Sequence, residues 1–130
     1  MHSFNRGFLP VAVILCVVLI AFAPGANGDR YISQTGSDSY DCTSPALPCQ
    51  TLNKALSVLT SAGTIFVESD TYSGASNVGL TVNKAFSITI RGQGVTPATF
   101  NGGGTSFGIQ TDGTGSLTLE NLKFTNCLST

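Results

Sequence analysis

Between Thr64 and Asn126, short β-type runs return at intervals, separated by clusters of Gly, Asn, Ser and Thr: TIFV at Thr64, LTV at Leu80, SITIRGQG at Ser87 and SLTLENLKFTN at Ser116. The run beginning at Ile65 is followed by like runs at Ile88 and Leu117, steps of 23 and 29 residues, which lie in the range of solenoid repeats. One coil cannot bury its own apolar face, so its stability must come from the next coil. The sequence therefore predicts an all-β chain, a right-handed parallel β-helix of about three coils with an amino-terminal capping α-helix. The repeats are still running at the last residue, so the coil region, residues 64–130, is expected to be truncated at its carboxyl end.

Alternation within each run assigns the inward positions to Ile65 and Val67, Leu80 and Val82, Ile88 and Ile90, Phe107 and Ile109, Leu117 and Leu119, and Leu122 and Phe124. Turns are expected at Asp70 to Ser76, Gly92 to Gly94, Gly102 to Gly104 and Thr111 to Gly115, where Gly reaches positive φ without a Cβ clash. Asn101 and Asn126 each close a run. In like corners of successive coils their amides would hydrogen-bond along the stack; otherwise they are two ordinary turn asparagines.

Ahead of the repeats, an apolar run from Val11 to Ala23 follows His2 and Arg6 and gives way to Pro24, Gly25 and the small residues of Ala26-Asn27-Gly28. This predicts a secretory signal peptide over residues 1–28, cleaved after Gly28, its apolar run being short of the ~20 residues that span a bilayer. Export makes disulfides permissible. Cys16 is lost with the leader, which leaves Cys42, Cys49 and Cys127. Cys42 and Cys49 enclose a short loop stiffened by Pro45 and Pro48 and are expected to pair. Cys127 is then unpaired or its partner is missing.

Residues 29–63 are expected to hold an opening strand at Tyr31-Ile32-Ser33, the disulfide loop, and one amphipathic helix of about three turns. Leu52, Ala55, Leu56 and Leu59 recur at the spacing of one helix face, and Gly63 stands where a glycine would stop the helix. A helix that short is marginal alone. The surface that suits it is the open end of the first coil, whose strand edges need cover.

With these elements placed, YISQTGSDSYDC at Tyr31, PCQTLNKALSVL at Pro48, GTIFVESDTYSG at Gly63, LTVNKAFSITIRGQG at Leu80, TFNGGG at Thr99 and SLTLENLKFTNC at Ser116 resemble, in order, the amino-terminal end of pectin-lyase-like right-handed β-helix proteins. The likeness is to secreted or surface β-helix repeat proteins, including those related to polymorphic outer-membrane autotransporters. Pectin methylesterases and pectate lyases share this opening. Their aspartates, glutamines and arginine lie in later coils that this chain does not reach, so the resemblance carries over no catalytic residue. The fold, rather than any chemistry, is what it implies.

The residues present agree with that restraint. The only His is in the leader, which leaves no base for a serine or cysteine nucleophile. Glu68 and Asp70, two apart near a strand end, with Glu120 from a later coil, form the one acidic group worth testing as a metal or sugar site; solvated carboxylates are the simpler reading. The Asp38-Ser39-Tyr40-Asp41 loop lacks the acidic and glycine spacing of a dedicated calcium loop. Tyr31, Tyr40 and Tyr72 are candidates for stacking on sugars or for ordinary surface and cap positions. No catalytic residue, metal ligand or cofactor is predicted. A net charge of −1 with 10% charged residues gives no basic footprint for nucleic acid.

The sequence thus points to the non-catalytic amino-terminal part of a secreted or cell-surface β-helix protein. Its expected role is scaffold, adhesin or carbohydrate-contact surface, with a polysaccharide or another surface protein as partner. A membrane enters only through secretion or a missing carboxyl-terminal anchor. The alternative is the amino-terminal part of a pectin-lyase-like lyase, esterase or hydrolase whose catalytic coils are missing.

Overall fold

The structure is a computed structural model and describes residues 28–128. The predicted leader, with Cys16, lies outside the described residues except for Gly28. In chain order the elements are β1 (Arg30–Ile32), α1 (Leu52–Ser57), β2 (Gly63–Val67), β3 (Thr71–Ser73), β4 (Leu80–Val82), β5 (Ile88–Gly92), β6 (Ala98–Asn101), β7 (Ile109–Thr111), β8 (Leu117–Glu120) and β9 (Leu122–Thr125). They form three sheets, ordered β1-β2-β5-β8, β3-β6-β9 and β4-β7. Every pairing between these strands is parallel. From β2 onward the chain visits the three sheets in turn, and β5 to β9 are each laid on a counterpart from the preceding circuit. The molecule is all-β in character, with parallel sheets compatible with a β-helix-like fold.

Backbone pairing corrects the spacing read from the sequence. Gly63 lies opposite Ile88 and Ile65 opposite Ile90, an offset of 25 residues rather than 23. Ile88 then lies opposite Leu117, an offset of 29. The two-residue slip leaves every side chain on its expected face, because side chains along a strand alternate with a period of two. In the second sheet the offsets are 28, from Thr71 to Thr99, and 24, from Ala98 to Leu122. Corner loops absorb these differences while the strands stay in register.

The inward columns make the core. Ile65, Ile90 and Leu119 stand one above another and are 0%, 1% and 42% exposed. A second column stacks Tyr72 on Phe100 with ring centroids 5.3 Å apart, and Phe100 on Phe124 at 5.6 Å. Each fully buried side chain of this size contributes roughly 1.5–3 kcal/mol. Burial fades toward β8 and β9, which have no following circuit among the described residues.

Several local expectations fail for definable reasons. The turn expected over Asp70 to Ser76 contains β3, whose short span between Asp70 and Gly74 hides its strand character. Tyr72 is fully buried there, so it is neither a surface nor a cap residue. Phe107 lies before β7 rather than in it. Leu119 faces the core column yet is 42% exposed, β8 being the outer strand of its sheet among the described residues.

The helix is shorter than three turns. Thr51 caps its start, the hydroxyl accepting from Lys54 N at 3.2 Å, and Val58 ends it. Gly63 opens β2 instead of stopping α1. Carbonyls beyond the last turn are taken over by cations: Arg30 Nη2 donates to Val58 O at 2.9 Å and Lys84 Nζ to Leu59 O at 3.0 Å. The predicted apolar face holds, with Leu52, Ala55, Leu56 and Leu59 all buried. The helix start is docked on the corner between β3 and β4, where Leu52 N donates to Asn77 Oδ1 and Asn53 N to Ser76 O, both at 2.9 Å.

Asparagine organises the corners. Asn126, with φ +49°, donates through Nδ2 to Asn101 Oδ1 at 3.2 Å, the ladder that like corners would allow. Asn121, with φ +51°, donates to Gly92 O at 3.0 Å and Gly94 O at 3.1 Å. Both take the left-handed backbone that asparagine tolerates better than other side chains. Near the start of the described chain, Gly28 and Gly63 meet so closely that a Cβ on Gly63 would fall 2.0 Å from Gly28 O.

Candidate functional site

The opening strand alternates inward and outward, so Ile32 enters the core while Tyr31 faces out. In register with Tyr31 on the next strand is Phe66, and the two rings stack with centroids 5.2 Å apart. The same outward column continues through Arg91 and Glu120. Arg91 Nε donates to Glu120, and this bond, followed by the carboxylate's charge, raises the guanidinium pKa further. One outward row thus runs from an aromatic end to an ion-paired end.

The disulfide loop is hung beside the aromatic end. Tyr31 N donates to Cys42 O at 2.8 Å and Cys49 N donates to Tyr31 O at 2.9 Å, so the loop grips the strand on both sides of one residue. Cys42 and Cys49 form the predicted disulfide, with Cα atoms 4.9 Å apart and both side chains buried. Asp38 ties down the far side of the loop, accepting from Gln50 N at 2.9 Å, Thr51 N at 3.0 Å and Thr51 Oγ1 at 2.7 Å. Asp41 accepts from Thr43 Oγ1 at 2.7 Å and Thr43 N at 3.1 Å, and these bonds hold its pKa below the ordinary value. Both carboxylates of the Asp38-Ser39-Tyr40-Asp41 segment are therefore engaged by protein donors, Asp38 by Gln50 and the helix cap Thr51 and Asp41 by Thr43.

Between the loop and the strand ends lies a cleft of about 440 Å³, lined in part by Tyr31, Tyr40 and Pro45 on one side and Ser33, Thr35, Glu68 and Gln93 on the other. Ser33 Oγ donates to Glu68 Oε2 and lies 2.9 Å from Thr35 Oγ1. Glu68 is the single charged residue in the lining. Its backbone is fixed from beneath, where the Tyr72 hydroxyl donates to Glu68 O at 3.0 Å. Burial, then the charges of Glu68 and Asp70, push the Tyr72 phenol well above its ordinary pKa.

The acidic group considered from sequence is not assembled. Glu68 faces the cleft with Ser33, Asp70 Oδ1 accepts from Thr71 N at 2.7 Å, and Glu120 pairs with Arg91. Among the described residues no three His, Cys, Asp or Glu side chains form a group able to hold a metal ion. Cys127 is a free, half-buried thiol whose Sγ lies 3.4 Å from Thr125 O.

Of the three tyrosines, the structure brings Tyr31 and Tyr40 to one cleft and buries Tyr72 in the core. Gln93 was missed as a lining residue. The signal for it was present, since the residue after Val67 and the residue after Gly92 must lie side by side once those two are paired. What the cleft offers is flat aromatic surface beside hydroxyl, amide and carboxylate groups, a combination that suits contact with a polyhydroxylated ligand. Comparison with protein-family models, with curated proteins and with solved structures finds no match.

Proposed function

We propose that this chain is the non-catalytic amino-terminal part of a secreted or cell-surface protein of the right-handed parallel β-helix, pectin-lyase-like type, and that it contacts carbohydrate through the face carrying β1 and β2. The observation that carries the reading is the stacked Tyr31–Phe66 pair beside the polar cleft. Sugar rings present C–H faces to aromatic rings and hydroxyls to amides and carboxylates, and the cleft supplies each kind of partner. A buried disulfide fits a non-cytoplasmic environment. Among the described residues no helix is long and apolar enough to cross a membrane.

Charge narrows the ligand. With Glu68 as the one charged lining residue, a polyuronate would bring like charge to the cleft, whereas a neutral polysaccharide would not. The absence of tryptophan makes tyrosine emission a clean reporter. Titrating the full chain with a soluble neutral β-glucan should give a saturable change in that emission, lost in Tyr31→Ala and weaker or absent with polygalacturonate. A flat response to every neutral polysaccharide tried would sink the reading. Turnover of polygalacturonate that vanishes in Glu68→Gln would favour an enzyme instead.

A further inference from the structure

Asn101 is followed by Gly102, the pairing in which a side-chain amide is most open to the next backbone nitrogen, because glycine places no side chain in the way. The reaction needs no enzyme. The Gly102 nitrogen loses its proton and attacks Cγ of Asn101; a C–N bond forms and ammonia departs. Water then opens the five-membered imide at either carbonyl, giving aspartate or isoaspartate at that position.

In the fold both reacting groups are held away from this path. The Gly102 nitrogen donates to Thr125 O at 2.9 Å, and Gly102 is buried. The Asn101 side-chain oxygen accepts from Gly103 N at 3.0 Å and from Asn126 Nδ2 at 3.2 Å. Asn101 itself is paired with Thr125 at the end of β6. Two of these three hydrogen bonds come from β9 and the residue after it. Yet β9 is the outer strand of its sheet, with nothing on its far side among the described residues. Edge strands open locally at lower free energy than strands paired on both sides.

We propose that Asn101 is a latent self-modification site, its amide preserved by the pairing of β6 with β9 and lost when that pair opens. The two products differ in consequence. Aspartate still accepts from Gly103 N and Asn126 Nδ2. Isoaspartate routes the main chain through the side-chain carbon and adds a methylene to it, which carries Gly102 away from Thr125 and prevents the corner from re-forming. The device therefore runs one way, converting a transient opening into a permanent loss of register at the end of β6.

The test is peptide mapping of the full chain, with isoaspartate detection at position 101, after incubation at mildly alkaline pH. Conversion in native buffer should be at least about tenfold slower than in full denaturant. Asn126→Gly removes the amide but keeps a residue suited to the left-handed backbone, and it should raise the native rate several-fold while leaving the denatured rate unchanged. Hydrogen exchange at the Gly102 amide should rise in parallel. For the unaltered chain, the rate should climb in urea below the global unfolding transition, which keeps the test open if the variant does not fold. Equal native and denatured rates, or a native rate unmoved by urea, would overturn the proposal. So would faster Gly102 exchange in Asn126→Gly without faster conversion.

Discussion

Phe100 lies between Tyr72 and Phe124 and is fully buried, so truncating it opens a cavity bounded by two rings that belong to different circuits. Phe100→Ala should cost about 3–5 kcal/mol in chemical denaturation, at the upper end for a single substitution, and a loss under 1 kcal/mol would show that this column is not part of the core. Tyr72 carries a pH dependence. Its phenol pKa is raised on folding, chiefly by burial, so its contribution is complete below the unfolded value of about 10 and is lost as pH rises toward the folded one. Stability of the parent should therefore fall more steeply with alkaline pH than that of Tyr72→Phe, as read from denaturation midpoints across the range. Neither role was legible in the sequence. An isolated tyrosine between Asp70 and Gly74 has the surroundings of a turn, and only the pairing of Thr71 with Thr99 shows that it begins a sheet.

Among elements, the disulfide loop is the one on which the cleft depends. Closing a ring this small removes modest chain entropy, and replacing both Cys42 and Cys49 with serine should lower stability by about 2 kcal/mol. A larger effect is expected on ligand contact, because the loop's grip on Tyr31 through Cys42 and Cys49 also sets where Tyr40 stands. Tyrosine-emission titrations with neutral β-glucan should lose their saturable phase in the double variant at temperatures where it remains folded; an unchanged titration would detach the loop from the site. The bridge itself was readable from spacing and two prolines. So were the buried face of α1 and the alternation in β2 and β5, each of 5 residues, where the runs give periodicity enough residues to act on. The second sheet was not: β3 and β6 have 3 and 4 residues, too few for alternation to stand out from their flanking turns.

At the scale of the whole molecule, the two ends differ. At the amino end α1 and the disulfide loop rest against the first circuits. At the other end, among the described residues, β7, β8 and β9 present backbone edges, and Leu119 and Leu128 are exposed beside them. Such an edge recruits a second copy. Sedimentation velocity on the full chain should show association that grows with concentration and is reduced by Leu119→Lys, while Leu47→Lys, on the exposed disulfide loop, leaves it unchanged. A monomer at all concentrations would mean that this end is covered. The repeat was legible at this scale because one circuit reproduces the chemistry of the last. Its register was not, because similarity between runs aligns Ile65 with Ile88, whereas hydrogen bonding aligns it with Ile90.

That register, with like residues stacked on like and the corners taking up every difference in length, sets which changes such a chain survives. Deleting one residue inside β5 would invert the facing of the strand beyond it and send Ile90 outward. Removing or duplicating a complete circuit joins column to column and creates no new unpaired edge. The chain is tolerant of copy number and intolerant of phase, so lineages carrying such a sequence are expected to vary in length by whole circuits while point insertions gather at the corners.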